Sequence, residues 1–205
     1  MVKRIFLFIL IALAAYAVYW FKFKTKEHHP EGPKPVPLAL KKHSAKFNQS
    51  IDSLVNAYLD IKNAFVETDT AAAKTAAKNF IAHIATLPMD EMKKDTAMVL
   101  ATVQANLGDM KANAESLIRQ TDITEMRRDF SSLTEVMFPS FFIAVNYEGP
   151  KLYLQKCPMA FNDTEAADWI SNSAEIVNPY MGKHHPKYQS GMLSCGDVKD
   201  SIVSK

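Results

Sequence analysis

Two cysteines and the methionines beside them are the residues of this 205-residue chain best suited to bind or exchange something. Cys157 and Met159 form C-x-M, and Met192 and Cys195 form M-x-x-C. Thiolates and thioethers are soft ligands that select Cu(I) over hard cations. His184 and His185, in the segment between the two motifs, could add imidazole nitrogens, and Met181 is a further thioether. A zinc site would draw on Cys and His without Met. The same two cysteines have a simpler use. In an exported domain a pair of cysteines forms a disulfide. Closing a loop of about 40 residues would stabilise a fold by roughly 4 kcal/mol in the chain-entropy model. Spacing alone leaves both bonds open, sulfur to sulfur or sulfur to copper.

Other side chains offer less. His28 and His29 stand in a Pro-rich stretch as a weak metal-binding pair or as solvated linker. His83 falls beside an apolar helix face, and His43 reads as solvated. Met89, Met92, Met98 and Met110 lie on or beside predicted helices, where methionine commonly fills gaps. Glu125 and Glu135 have no Glu-x-x-His partner for a bundle di-iron centre. There is no C-x-x-C-H for covalent haem. The six glycines form neither GxGxxG nor a P-loop. No nucleophile elbow occurs, so the expectation is a binding protein and not an enzyme. A formal net charge of +2, with aromatics not interleaved among Lys and Arg, gives no nucleic-acid surface.

These residues need elements to hold them. Lys3 and Arg4 precede an apolar run from Ile5 to Phe21 that ends in Tyr19, Trp20 and Phe21. Residues 1–22 therefore read as an N-terminal transmembrane anchor, or alternatively a signal cleaved near Ala15-Tyr16-Ala17. The expected location is the inner membrane, with the following domain in the periplasm. Residues 23–44 carry four closely spaced prolines and read as an extended linker. Residues 45–146 show four amphipathic helices. Phe47, Ile51, Leu54, Tyr58, Ile61 and Phe65 form the first stripe at 4-3-4-3-4 spacing. Asp69 or Thr70 caps the second helix, with Phe80, Ile81 and Ile84 inward, and Pro88 ends it. The third starts near Asp90 and is expected to stop at Gly108. Met126, Phe130, Leu133, Met137, Phe141 and Ala144 form the fourth stripe, with Asp122 at its start and a disturbance at Pro139. The predicted class is all-α: an antiparallel four-helix bundle. Residues 147–205 lose the helical period and read as an irregular Cys/Met tail packed on the bundle. In it, residues 151–155 are a short extended piece and residues 164–173 one or two helical turns capped by Asp163 or Thr164. Trp169 and Tyr180 are read as packing that holds the tail down, and Asn178-Pro179 as a turn.

The tail motifs resemble a bacterial domain family of unknown function. Its pattern runs Y-x3-C-P-M-A, W-[IL]-S, N-P-Y-x-G and M-L-x-C-G. Here it is matched at Tyr153, Cys157, Pro158, Met159, Ala160, Trp169, Ser171, Asn178, Pro179, Tyr180, Gly182, Met192, Leu193, Cys195 and Gly196. Members occur free-standing behind an anchor or signal, and as C-terminal extensions of periplasmic adaptor (membrane-fusion) subunits of heavy-metal efflux pumps. The resemblance implies soft-metal handling with a copper ion, Cu(I), and an efflux adaptor or other envelope protein as partner. Two departures stand out. Ala160 follows Cys-Pro-Met where short heavy-metal-binding modules continue with His, and residues 183–190 read as an insertion.

Overall fold

A computed structural model describes residues 42–203. The expected anchor (1–22), nearly all of the linker and the His28–His29 pair lie outside the described residues. Among the described residues, no helix is long and apolar enough to cross a membrane.

Helix α1 spans Ala45–Val66 and begins where the Ser44 hydroxyl accepts from the Phe47 N–H at 3.2 Å. All six residues of its predicted stripe are buried. Thr68, in the left-handed region (φ 61°), turns the chain, and the Asp69 N–H closes on the Ala64 carbonyl at 2.9 Å. Asp69 then caps α2 (Thr70–Ala85) through the Ala72 N–H at 2.8 Å. After a 3-10 turn at Met92–Lys94, Thr96 caps α3 (Ala97–Arg119). Gly108 therefore does not end a helix. An interior glycine costs about 1 kcal/mol, and the burial of Val103, Leu107, Met110, Ala114 and Leu117 on either side outweighs it. Asp122 opens α4 (Ile123–Val136), its carboxylate accepting from the Thr124 and Glu125 N–H groups. At Pro139 the helix gives way to a π-type turn, Met137–Phe141, with a cis Phe138–Pro139 bond, and one last turn, Phe142–Ala144. Tyr58 and Phe65 from α1 meet Phe130 from α4 at ring-centroid separations of 5.0 and 5.4 Å, bringing the first and last helices together.

The all-α expectation is overturned after Tyr147. The tail contains a three-stranded antiparallel sheet in the order β2-β1-β3. Its strands are β1 (Leu152–Phe161), β2 (Glu165–Ser171) and β3 (Asp197–Ile202). The extended piece expected at residues 151–155 is the start of β1. The helix expected at residues 164–173 is β2. Asn162 and Asp163 both take left-handed angles (φ 52° and 62°), and the Thr164 N–H returns to the Phe161 carbonyl at 3.1 Å. Two successive positive φ values make the tight turn whose twist suits a β-hairpin, so Asn-Asp joins strands here instead of capping a helix. Pro158 sits where the β1–β2 register shifts between Cys157 and Phe161. A bulge is one of the few places in a sheet that tolerates a residue without an N–H.

Candidate functional site

The register pairs Gln155 with Trp169 and Cys157 with Ala167. With a period of two, these four side chains share one face of the sheet, and all are buried. Cys157 is 0% exposed. Cys195 is half-buried and stands just before β3. The two cysteines are unbonded, with their sulfurs 2.8 Å apart across 38 positions of chain.

The segment between β2 and β3 is tied down by specific groups. The Gln155 amide donates to the carbonyls of Ser173 (2.9 Å) and Glu175 (3.0 Å), fixing its start to β1. Buried Asn178 donates from Nδ2 to the Cys195 carbonyl at 2.7 Å. Its Oδ1 accepts from the Tyr180 and Met181 N–H groups at 2.8 and 3.1 Å. The Cys195 N–H reaches the Met192 carbonyl at 3.0 Å. Gly196 follows at φ 138°, where a Cβ would lie 2.7 Å from the Lys156 carbonyl oxygen and 2.9 Å from Cη2 of Trp169. Only glycine lets the chain pass this close to β1. Trp169 is fully buried and meets Tyr180 edge-on, centroids 6.0 Å apart. Tyr180 in turn packs against Phe130 and Phe161 and donates its hydroxyl to the Asp168 carbonyl. Both aromatic side chains lie where the sheet meets the helices.

Burial, followed by the neighbouring Cys157 thiol, pushes the Cys195 thiol up to about 12. At neutral pH Cys195 is a thiol, and a metal would have to displace its proton to bind there. Met159 and Met192 are half-buried and packed on the same core. Met181 is 1% exposed and belongs to the core itself. The imidazoles are elsewhere. His184 is exposed. His185 stacks on Tyr188, and its Nδ1 accepts from the N–H groups of Lys187 (3.2 Å) and Tyr188 (3.3 Å). Among the described residues no three or more His, Cys, Asp or Glu side chains gather as a metal group. The donor set at the sulfurs is thus two thiols with thioethers in the adjoining segments. That fits a soft monovalent ion of low coordination number, and does not fit zinc, which takes four N, S or O ligands.

Of the remaining candidates, Met92 and Met110 are fully buried, Met98 is 75% exposed, and His43 packs on Phe47 with centroids 4.4 Å apart. A groove of about 440 Å³ between α1 and α2, lined by Asp60, Glu67 and Asp69 among others, includes neither cysteine. Residue types alone did not reveal that Asn178 holds the Cys195 backbone. The signal available was the N-P-Y element, which reads only as a turn.

Residues 54–144 match the model of a family described as "Protein of unknown function (DUF3347)". The resemblance to a domain family of unknown function therefore holds over the helices, from within α1 to the last helical turn. The match ends before Cys157. No curated protein and no solved structure matches the chain.

Proposed function

We propose that the protein is a non-catalytic accessory of the bacterial envelope that binds a soft metal ion, copper(I), and passes it on in metal tolerance or efflux. Cys157 and Cys195 are the thiolate ligands, and Met159 and Met192 the nearby thioethers. His184 and His185 stay outside the set. The observation that carries this is the close approach of two cysteine sulfurs, 2.8 Å, from distant parts of the chain. Among the described residues the two thiols belong to no group of three or more His, Cys, Asp or Glu side chains, and a pair of sulfurs favours soft cations over hard ones. The N-terminal apolar run would hold the domain at the membrane, where an efflux adaptor or another envelope protein is the recipient.

The test is a Cu(I) titration of the full chain, reduced and anaerobic, against a chromogenic chelator. Competition tighter than about 1 µM, lost in Cys157→Ser and Cys195→Ser, is expected. A wild type that cannot compete, or serine variants that compete equally well, would refute copper binding at this site.

A second use of the pair is favoured by the complete burial of Cys157. An interaction domain could keep these cysteines as a structural disulfide that fixes the start of β3. In that case air oxidation consumes both thiols and raises thermal stability, and copper does not bind even after reduction.

A further inference from the structure

We propose that Cys195 is the exchange position of the pair: an external thiolate opens a Cys157–Cys195 disulfide by attacking the Cys195 sulfur, mixed disulfides form there, and Cys157 is the sheltered sulfur that leaves and later recloses the bond. This rests on the dithiol assigned above and concerns its regulation. The two sulfurs are adjacent but unequally placed. Cys157 lies within the central strand, flanked by β2 and β3, and is 0% exposed. Cys195 is half-buried, in the short link between the turn through Ser194 and β3. Its backbone is held at both ends, by the Met192 carbonyl at 3.0 Å and the Asn178 amide at 2.7 Å. It therefore presents its sulfur from a fixed position.

Thiol–disulfide exchange requires the attacking sulfur to line up with the bond being broken. Attack on Cys195 comes from the side away from Cys157, and Cys195 is only half-buried. Attack on Cys157 would have to come through the interior of the sheet. The electrons balance without a further reactant. A thiolate of the reductant, a protein dithiol or a glutathione-type thiol, bonds to the Cys195 sulfur. The sulfur–sulfur bond breaks, and Cys157 leaves with the electron pair and takes a proton from water. A second thiolate of the reductant then attacks the reductant's own sulfur in the mixed disulfide, releasing Cys195 as a thiol and the reductant as a disulfide. In reverse, Cys157 attacks Cys195 of the mixed disulfide and expels the external thiolate. The soft-metal ligands are thus made available by exchange at one accessible atom.

The experiment uses the full chain with glutathione disulfide and, separately, a pulse of iodoacetamide, located by peptide mapping. Cys157→Ser should acquire a glutathionyl group on Cys195. Cys195→Ser should react at Cys157 more than about tenfold more slowly, until denaturant is added. Because a serine variant could misfold, the reduced wild type is pulse-labelled as well, and Cys195, slow to ionise but open to the reagent, should be alkylated before the enclosed Cys157. With glutathione disulfide, the wild type should pass through an adduct at Cys195 and end as the internal disulfide. Equal or faster labelling of folded Cys157 overturns the assignment, and an adduct at Cys195 that never closes overturns the resolving role of Cys157. The copper titration is read independently. Cys195-first labelling without Cu(I) binding removes the copper reading alone; Cu(I) binding with Cys157-first labelling removes the exchange order alone.

Discussion

Asn178 uses its whole side-chain amide on the segment that carries Cys195. Oδ1 holds two N–H groups, Nδ2 holds the Cys195 carbonyl, and the residue is fully buried. Its own N–H also reaches the Leu193 carbonyl at 2.8 Å, and its carbonyl accepts from the Gly182 N–H at 2.9 Å. A buried donor or acceptor that loses its partner costs about 1–3 kcal/mol. Asn178→Ala should therefore lower stability by about 2–3 kcal/mol. Asn178→Asp keeps the shape and both accepting contacts but points an oxygen at the Cys195 carbonyl, so it should be no better. Urea unfolding gives the loss, and faster alkylation of Cys195 in native buffer shows that the segment has loosened. A wild-type unfolding midpoint in both variants would mean the amide contributes no net stability.

The elements meet along the outer edge of β2, which is sealed by two tyrosines. Tyr58 of α1 accepts from the Ile170 N–H at 3.1 Å and donates to the Thr134 hydroxyl at 2.6 Å. The direction follows because Thr134 spends its own proton on the Phe130 carbonyl at 3.0 Å. Tyr180 donates to the Asp168 carbonyl on the same edge. The opposite edge, β3, is left to solvent with Asp197, Lys199 and Asp200 along it, charges that discourage pairing with other chains. Tyr58→Phe should cost about 1–3 kcal/mol and speed hydrogen exchange at the Ile170 amide; an unchanged exchange rate would show the hydroxyl is not its partner. At α4, the Asp122 carboxyl is held below its ordinary value of 3.8, chiefly by the Glu125 N–H. Its contribution is complete above 3.8 and fades as pH falls through the lower folded-state value. Asp122→Asn keeps a cap without that titration, so the loss of stability below the ordinary carboxylate range should be shallower in acid unfolding. The helices were legible in the sequence because stripes such as Phe47 to Phe65 repeat at the helical period. The sheet was not, because Pro158 interrupts the pattern of β1 at a bulge and the hairpin turn is built from Asn-Asp without glycine. The tyrosine seal was beyond any local pattern, since Tyr58 and Ile170 are 112 positions apart. The cysteine pair was legible from number and spacing, but its separation from His184 and His185 was not, because the turn at Lys187 and Tyr188 uses the His185 nitrogen locally.

At the scale of the molecule, the sheet adheres to the helices through Phe130, Phe161, Trp169 and Tyr180, while β3 depends on β1 and on the sulfur pair. On the proposed function, oxidation and copper loading would draw on the same two sulfurs and exclude each other, which gives three distinguishable states to look for. A disulfide closing the 38-position loop stabilises by about 4 kcal/mol in the chain-entropy model, or about 8–16 °C in melting temperature for a domain of this size. Bound copper would stabilise by mass action, about 4 kcal/mol when free ion exceeds the dissociation constant a thousandfold. Melting temperature should thus rise from the reduced metal-free chain to both the oxidised and the copper-loaded chain. Only the loaded chain should return to the lower value on adding a non-reducing Cu(I) chelator, whereas a dithiol, itself a soft Cu(I) ligand, should lower both. Loading before exposure to air should also slow the loss of titratable thiols once copper is stripped. In Cys157→Ser neither rise can occur, so its melting temperature should be indifferent to oxidant and to copper alike. A copper-dependent rise surviving in that variant would place the metal away from the sulfur pair.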